Sequence, residues 1–251
     1  MPLSTILDWI YPPVCIACRS IMPLNAPQRY ICVICEGLFE SIPLPVCKRC
    51  GVPASTEEAK HCASCFGKTF HFQQNSAAFL YDELMRDMLH EMKFRAKKRV
   101  AKGLGFLWSA QVASTLQNPD SFIGSIEDLQ SYTLIPMPLH PKKQRERGFN
   151  QAEILTRPLS AALQIPMSNI LTRTVDTPPQ SGLHPMQRAE NVSGIFSIQK
   201  STSVIGRNYI ITDDIFTTGS SLNECAKTLK SAGATKILCM TLAIAVKNNS
   251  K

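Results

Sequence analysis

Four Cys-x-x-Cys pairs, Cys15/Cys18, Cys32/Cys35, Cys47/Cys50 and Cys62/Cys65, place eight of the chain's ten cysteines in one stretch of Pro, Gly and polar residues with little periodicity. Without an apolar repeat that stretch cannot bury a helical or sheet face, so it cannot build an ordinary core. Each pair can offer two thiolates to one tetrahedral ion, and eight soft sulfur ligands make two closed four-cysteine zinc sites. Joining successive pairs assigns Cys15, Cys18, Cys32 and Cys35 to one ion and Cys47, Cys50, Cys62 and Cys65 to the other, as in tandem zinc ribbons. An interleaved cross-brace, first pair with third and second with fourth, stays open. With every ligand supplied by protein no position is left for water, so these zincs are read as structural, about 10 kcal/mol of metal binding per site standing in for the absent core. A thioredoxin-type redox couple would need a βαβ surrounding that these pairs lack. His61 reads as a loop residue or a substitute ligand, and Cys225 and Cys239, on apolar faces, as small core residues.

The cysteines also bear on compartment. The first apolar stretch, residues 2–16, has no basic residue before it, contains Asp8 and runs into Pro12 and Pro13, unlike a signal peptide. No segment approaches the ~18 to 20 apolar residues of a membrane span. The expectation is a soluble protein of the reducing cytoplasm, where paired cysteines bind metal. With 251 residues, 44% of them hydrophobic and 18% charged, the chain is too apolar for disorder and long enough for a core plus an appendage.

Beyond the cysteines, residues 71–81 read as an extended entry, then Leu84, Met85, Met88, Leu89 and Met92 fall at helical spacing, as do Val100, Leu104, Leu107, Trp108 and Val112. Residues 117–131 read as a polar loop. Strand and helix then alternate as in a parallel α/β sheet: a strand at 132–137, a helix at 150–163 that Pro158 should kink or interrupt, a strand at 203–212 and a buried strand at 237–246. Ser221 and Glu224 form an S-x-x-E capping box, and Gly233 is placed to stop that helix. Residues 166–203 read as a long loop or hairpin excursion. The expected division is 1–70 for the cysteine-rich part and 71–251 for the α/β part.

The most informative segment is Tyr209 to Leu222, in which a hydrophobic strand delivers Asp213 and Asp214, then the turn Thr217-Thr218-Gly219-Ser220-Ser221, then a helix. A helix N-terminus with free N–H groups binds an anion, Gly219 lets the backbone approach it, and the hydroxyls add donors. Carboxylates beside an anion site need hydroxyl groups or a divalent cation to face. A ribose 5-phosphate meets both demands, its phosphate on the turn and its hydroxyls on the acids. The bland reading is a Ser/Thr/Gly turn capping an ordinary helix.

This segment resembles the PRPP-binding motif of the type I phosphoribosyltransferases. The resemblance implies that Asp213 and Asp214 hold the ribose hydroxyls and serve catalysis, that residues 217–221 hold the 5-phosphate, and that Mg2+ bridges pyrophosphate to ribose. Residues 134–141 (LIPMPLHP), 145–151 (RERGFNQ) and Pro179 to Leu183 with Arg188, Asn191, Val192, Gly194 and Phe196 resemble the ComF/GntX-like family of competence and DNA-utilization proteins, whose double zinc ribbon the four cysteine pairs also match. By that likeness the fold is a type I phosphoribosyltransferase-like parallel sheet with helices on both faces, preceded by a small double zinc ribbon. Leu139 and His140 lie at the pyrophosphate loop, and Lys142, Lys143, Arg145 and Arg147 supply its cations. Gln180, Arg188 and Asn191 belong to a loop that closes over the ligand. Implied partners are PRPP or a related sugar phosphate, single-stranded DNA, and competence or recombination proteins. One departure concerns catalysis: where 6-oxopurine enzymes carry an Asp before the Thr-Gly of the loop stands Thr217, which cannot act as a base at neutral pH. Three functions follow as alternatives: a DNA-uptake factor that binds PRPP, an active phosphoribosyltransferase with an unidentified acceptor, and a zinc-stabilised nucleic-acid module.

The formal charge of +8 concentrates in two runs, Lys93 to Lys102 and Lys142 to Arg147. The first is a solvated face, a source of phosphate contacts through Lys93 and Arg95, or a track for a DNA backbone. Phe66, Phe70, His71 and Phe72 pack on the core or stack on bases.

Overall fold

A computed structural model describes residues 11–26, 28–54, 62, 65–117, 126–176, 194–199 and 202–246. His61 and the proposed closure residues Gln180, Arg188 and Asn191 lie outside them. After a single-turn helix α1 (Val33–Glu36) come strand β1 (Asn75–Leu80) and helices α2 (Glu83–Phe94), α3 (Lys98–Leu116) and α4 (Ile126–Leu129). Strand β2 (Tyr132–Pro136) leads into helices α5 (Pro141–Arg147) and α6 (Gln151–Leu163). Strands β3 (Leu171–Arg173) and β4 (Phe196–Ile198) precede β5 (Asn208–Phe216), helix α7 (Ser220–Ser231) and β6 (Lys236–Ile244). No helix among the described residues is long and apolar enough to cross a membrane.

The sheet is parallel, in the order β1-β6-β5-β2. Helices cover both faces, as parallel strands buried on two sides require. One face packs Met85, Met92, Leu104, Trp108 and Leu155 of α2, α3 and α6. The other packs Leu222, Cys225 and Leu229 of α7. Cys225 and Cys239 are fully enclosed core residues, as expected. The cysteine-rich segment shares these cores instead of forming its own. Ile16, Ile31 and Phe39 join the first, and Cys47, Cys50 and Cys65 the second. It also covers the outer edge of β1: Leu80 N–H donates to Glu40 O (2.8 Å), Asn75 N–H to Arg49 O (2.9 Å) and Asn75 Nδ2 to Cys50 O (3.0 Å), which removes an exposed sheet edge.

Several local expectations need correction. The strand expected from residue 203 begins at Asn208, because β5 must register with Tyr132 and Lys236 at the starts of its neighbours. Val204 to Gly206 form a turn before it, with Ile205 76% exposed and Gly206 N–H bonded to Gly233 O. At its other end β5 runs on through both aspartates to Phe216. Helix α6 passes uninterrupted through Pro158. Its buried Leu155, Leu159 and Leu163 hold it against the core. The polar loop of 117–131 contains α4. The capping box does not form. Helix α7 starts at Ser220 with Gly219 as its N-cap, so Ser221 falls inside the first turn, and Glu224 accepts from Gly194 N–H (2.7 Å). Gly233, at φ +95°, does end α7: its N–H bonds Lys230 O and Ala234 N–H bonds Leu229 O, a Schellman motif.

The excursion after α6 is an antiparallel hairpin of β3 and β4, with Leu171 opposite Ile198. It is tethered to α7 through Glu224 and to α5 through Asp176, which lies 3.5 Å from Lys142 Nζ and 3.7 Å from Lys143 Nζ.

Candidate functional site

The cysteines gather as sequential pairs. In each set, Cys15, Cys18, Cys32, Cys35 and Cys47, Cys50, Cys62, Cys65, the four sulfurs lie within 4.8 Å of one another. Cys18 and Cys32 Sγ are 3.9 Å apart and Cys50 and Cys62 Sγ 3.5 Å, against about 3.8 Å for a tetrahedron of Zn–S bonds near 2.3 Å. The donor sets fit zinc, and the cross-brace is excluded. Both first knuckles make the same turn: Cys15 N–H bonds Ser20 O and Arg19 N–H bonds Cys15 O, while Cys47 N–H bonds Val52 O and Gly51 N–H bonds Cys47 O. Cys32 N–H donates to Cys15 Sγ (3.4 Å). Hydrogen bonds from Ser20 hold the Cys18 thiol down at about 6, whereas burial pushes Cys35 and Cys65 up to about 12. Metal binding to such sets must therefore displace protons.

The second site is a cavity of about 710 Å3 at the carboxyl end of the sheet, walled by α2, the β2–α5 connection, α5, the β3 strand and the β5–α7 turn. That end of an open parallel sheet is where ligand crevices form. Asp213, Asp214, Thr217, Thr218, Gly219, Ser220 and Ser221 all line it. Gly219, at φ +75°, turns the chain tightly, and a side chain there would meet the Phe216 ring at 2.7 Å. As N-cap it has no side chain to offer, and Ser220 N–H, the first of α7, faces Thr218 Oγ1 at 3.4 Å. Thr218 Oγ1 and Ser220 Oγ are 2.9 Å apart.

The acids differ. Asp214 points toward α2 and pairs through Oδ2 with Lys93 Nζ, its side chain 5% exposed and that of Lys93 25%. Burial, the largest influence, would raise Asp214, but the Lys93 charge together with hydrogen bonds from Asp213 and Lys93 holds the carboxyl below its usual range. Asp213 is driven well above that range, first by burial and then by the charge of Asp214. Lys93 itself, though burial opposes its charge, is raised by Asp214.

The RGFNQ element divides its labour residue by residue. Arg147 enters the cavity and donates to Gln151 Oε1. Gly148, at φ +77°, ends α5. Phe149 is buried. Asn150 caps α6 through Ala152 N–H and donates to Met137 O (3.1 Å). Leu139 and Lys143 also line the cavity, whereas His140, Lys142 and Arg145 do not. His140 caps α5, its Nδ1 accepting from Lys142 N–H, and both face Asp176.

Sequence reasoning missed Arg173, Arg86, Glu146 and Gln151, which complete the wall. Arg173 is carried in by the hairpin, one of the two readings the sequence left open for residues 166–203. Gln151 was legible as the end of RGFNQ. Five cations (Arg86, Lys93, Lys143, Arg147, Arg173) face three carboxylates (Glu146, Asp213, Asp214) across the cavity, a balance that suits an anionic ligand.

Most of the first basic run is engaged by the protein, while Lys102 is exposed. Arg95 and Lys97 lie 3.4 and 3.2 Å from Glu91, which also pairs with Arg19. Arg99 donates to Val14 O and Arg29 O, and Lys98 lies over the Phe149 ring. Lys93 thus reaches the cavity and Arg95 does not. Among the aromatics, Phe72 is buried with Phe70 against it at 4.8 Å, while Phe66 is 84% exposed. His71 is exposed, its N–H held by Asn223 Oδ1.

A family model described as a double zinc ribbon domain matches residues 6–66, and one described as a phosphoribosyl transferase domain matches residues 147–251. The chain is 31% identical over 241 residues to the DNA utilization protein YhgH of Shigella flexneri, spanning 92% of this chain and 98% of that one. It is 29% identical to Competence protein F of Haemophilus influenzae, spanning 91% and 96%. A hypoxanthine phosphoribosyltransferase structure from Staphylococcus aureus covers 59% of this chain and 76% of its own at 12% identity and TM-score 0.34, a superposition too loose to argue from.

Proposed function

We propose a function from one established premise: this chain belongs to the ComF/GntX-like family of competence and DNA-utilization proteins. Its cavity binds a 5-phosphorylated ribose, PRPP above all, and the protein serves the uptake or use of external DNA in the cytoplasm. The observation that carries this reading is the meeting, in one cavity, of two strand-end carboxylates with the hydroxyl-rich turn that starts a helix. Thr217 to Ser221 take the 5-phosphate, Asp213 and Asp214 the ribose hydroxyls, and Leu139, Lys143, Arg147 and Arg173 surround the pyrophosphate. Residues 1–70, as the double zinc ribbon, buttress the unit of residues 71–251.

Mg2+, if bound together with PRPP, would offset pyrophosphate charge. Asp214 is already paired with Lys93, so the pyrophosphate end is where that ion would be held. Thr217, exposed at the cavity, offers no base to a purine, so ligand binding is favoured over 6-oxopurine salvage. Single-stranded DNA and competence or recombination proteins are partners at the level of the family. The basic run at 93–102 adds little to a DNA track, because most of its charges are spent internally.

Titration calorimetry with PRPP and Mg2+ tests the reading. Replacing both Asp213 and Asp214 by Asn removes the acid pair and should weaken binding about 100-fold or more. Unchanged affinity in the double variant would overturn the placement.

A further inference from the structure

Lys93 occupies a position that the family likeness did not mark. It sits in the last turn of α2, whose Met85, Met88, Leu89 and Met92 are buried in the core, so its stem is anchored and its ammonium is delivered to one place. Its neighbours in the basic run turn to Glu91, while Lys93 turns the other way, into the cavity, onto Asp214 Oδ2. That oxygen is buried and makes no other hydrogen bond among the described residues.

We propose that Lys93 is a resident cation for the acid pair, its ammonium filling the place beside Asp214 that a divalent metal ion would otherwise take, so that the sugar end of the cavity binds a vicinal diol without metal. The inference rests on the ribose-phosphate reading and deepens it. A carboxylate faced by an ammonium on one oxygen still accepts from a hydroxyl on the other. Mg2+ demands a near-octahedral shell of oxygens and dehydrates reluctantly, and an ion pair that is already neutral attracts it weakly. Asp213, beside Asp214, is pushed by burial and by that neighbour well above the usual carboxylate range, which opposes a second charge there. Any Mg2+ that accompanies PRPP then belongs to the pyrophosphate end.

Ribose 5-phosphate is the probe that separates the two ends, since it carries the diol and the 5-phosphate but no pyrophosphate. It is titrated calorimetrically into the zinc-loaded full chain, in buffer stripped of divalent ions by resin and in millimolar Mg2+. The wild-type affinity should change less than about twofold between the two, and Lys93→Met should lose about tenfold or more without Mg2+ and recover most of it when Mg2+ fills the vacated place. A tenfold gain from Mg2+ in the wild type overturns the inference. So does wild-type affinity in Lys93→Met without Mg2+, or a loss that Mg2+ does not restore. If Lys93→Met does not melt cooperatively, the wild-type comparison decides alone. Absence of binding to the wild type in both buffers overturns the ribose-phosphate reading itself, and this inference with it.

Discussion

Two identical carboxylates stand side by side at the end of β5, within a side-chain hydrogen bond of each other, yet their surroundings push them in opposite directions. Asp214 meets Lys93 and stays charged. Asp213 lies on the side of Arg173 and Cys225 and resists ionisation. The signs of their linkage to stability are opposite. Asp214, depressed in the fold, contributes stability above its ordinary value of 3.8 that is lost as pH falls through its lower folded value. Asp213, raised in the fold, leaves stability intact below 3.8 and erodes it as pH climbs from there to its folded value. Asp213→Asn should therefore melt higher than wild type at pH 7, by about 2–4 °C for each kcal/mol recovered, with the gap closing as pH drops toward 3.8. A gap of the same size at acid pH would show that ionisation is not its source. Both acids were legible in the sequence as a site. Which of them keeps its charge was not, because the deciding partner stands on another element.

Among the elements, α3 and α6 approach most closely where Gly105 faces Leu155. A side chain at Gly105 would meet Leu155 O at 2.9 Å and Pro158 Cγ at 3.1 Å. In an isolated helix, Gly to Ala gains about 1 kcal/mol. Here overpacking against a backbone carbonyl, at about 1–3 kcal/mol, should win. Gly105→Ala is thus expected to lower the denaturation midpoint in urea, and an unchanged or raised midpoint would mean the two helices slide apart freely. The same contact places the Pro158 ring against α3. Helix periodicity identified α2, α3 and α6, but not the uninterrupted passage through Pro158, because a proline penalty is local while the packing that offsets it is not. Strand β5 gives the reverse lesson. Val204 and Ile205 have strand character, yet register with β2 and β6 sets the start at Asn208.

At the scale of the whole molecule, the cysteine-rich segment and the α/β core share both hydrophobic clusters, and the segment closes the β1 edge. Through Arg19 and Glu91 it also touches the helix that carries Lys93. Removing zinc with a strong chelator should therefore loosen residues 11–70 and lower the melting temperature of the whole chain, read by scanning calorimetry and by protease cleavage. A chain that kept its melting temperature after complete metal loss would show the clusters to be dispensable. The spacing of the cysteines by itself determined that two four-sulfur sites form, since thiol pairs at that separation need only a turn to converge. The run from Tyr209 to Leu222 likewise determined a strand, an acidic pair and a helix start, since each depends on neighbours within a few residues. Only the tertiary structure decided that the pairs join sequentially, that Arg173 and Lys93 complete the cavity while His140, Lys142 and Arg145 do not, and that the cysteine-rich segment is welded to the core. The physical reason is range: a local pattern sets backbone conformation, whereas the burial and charge of a side chain are set by elements brought near it only when the sheet assembles.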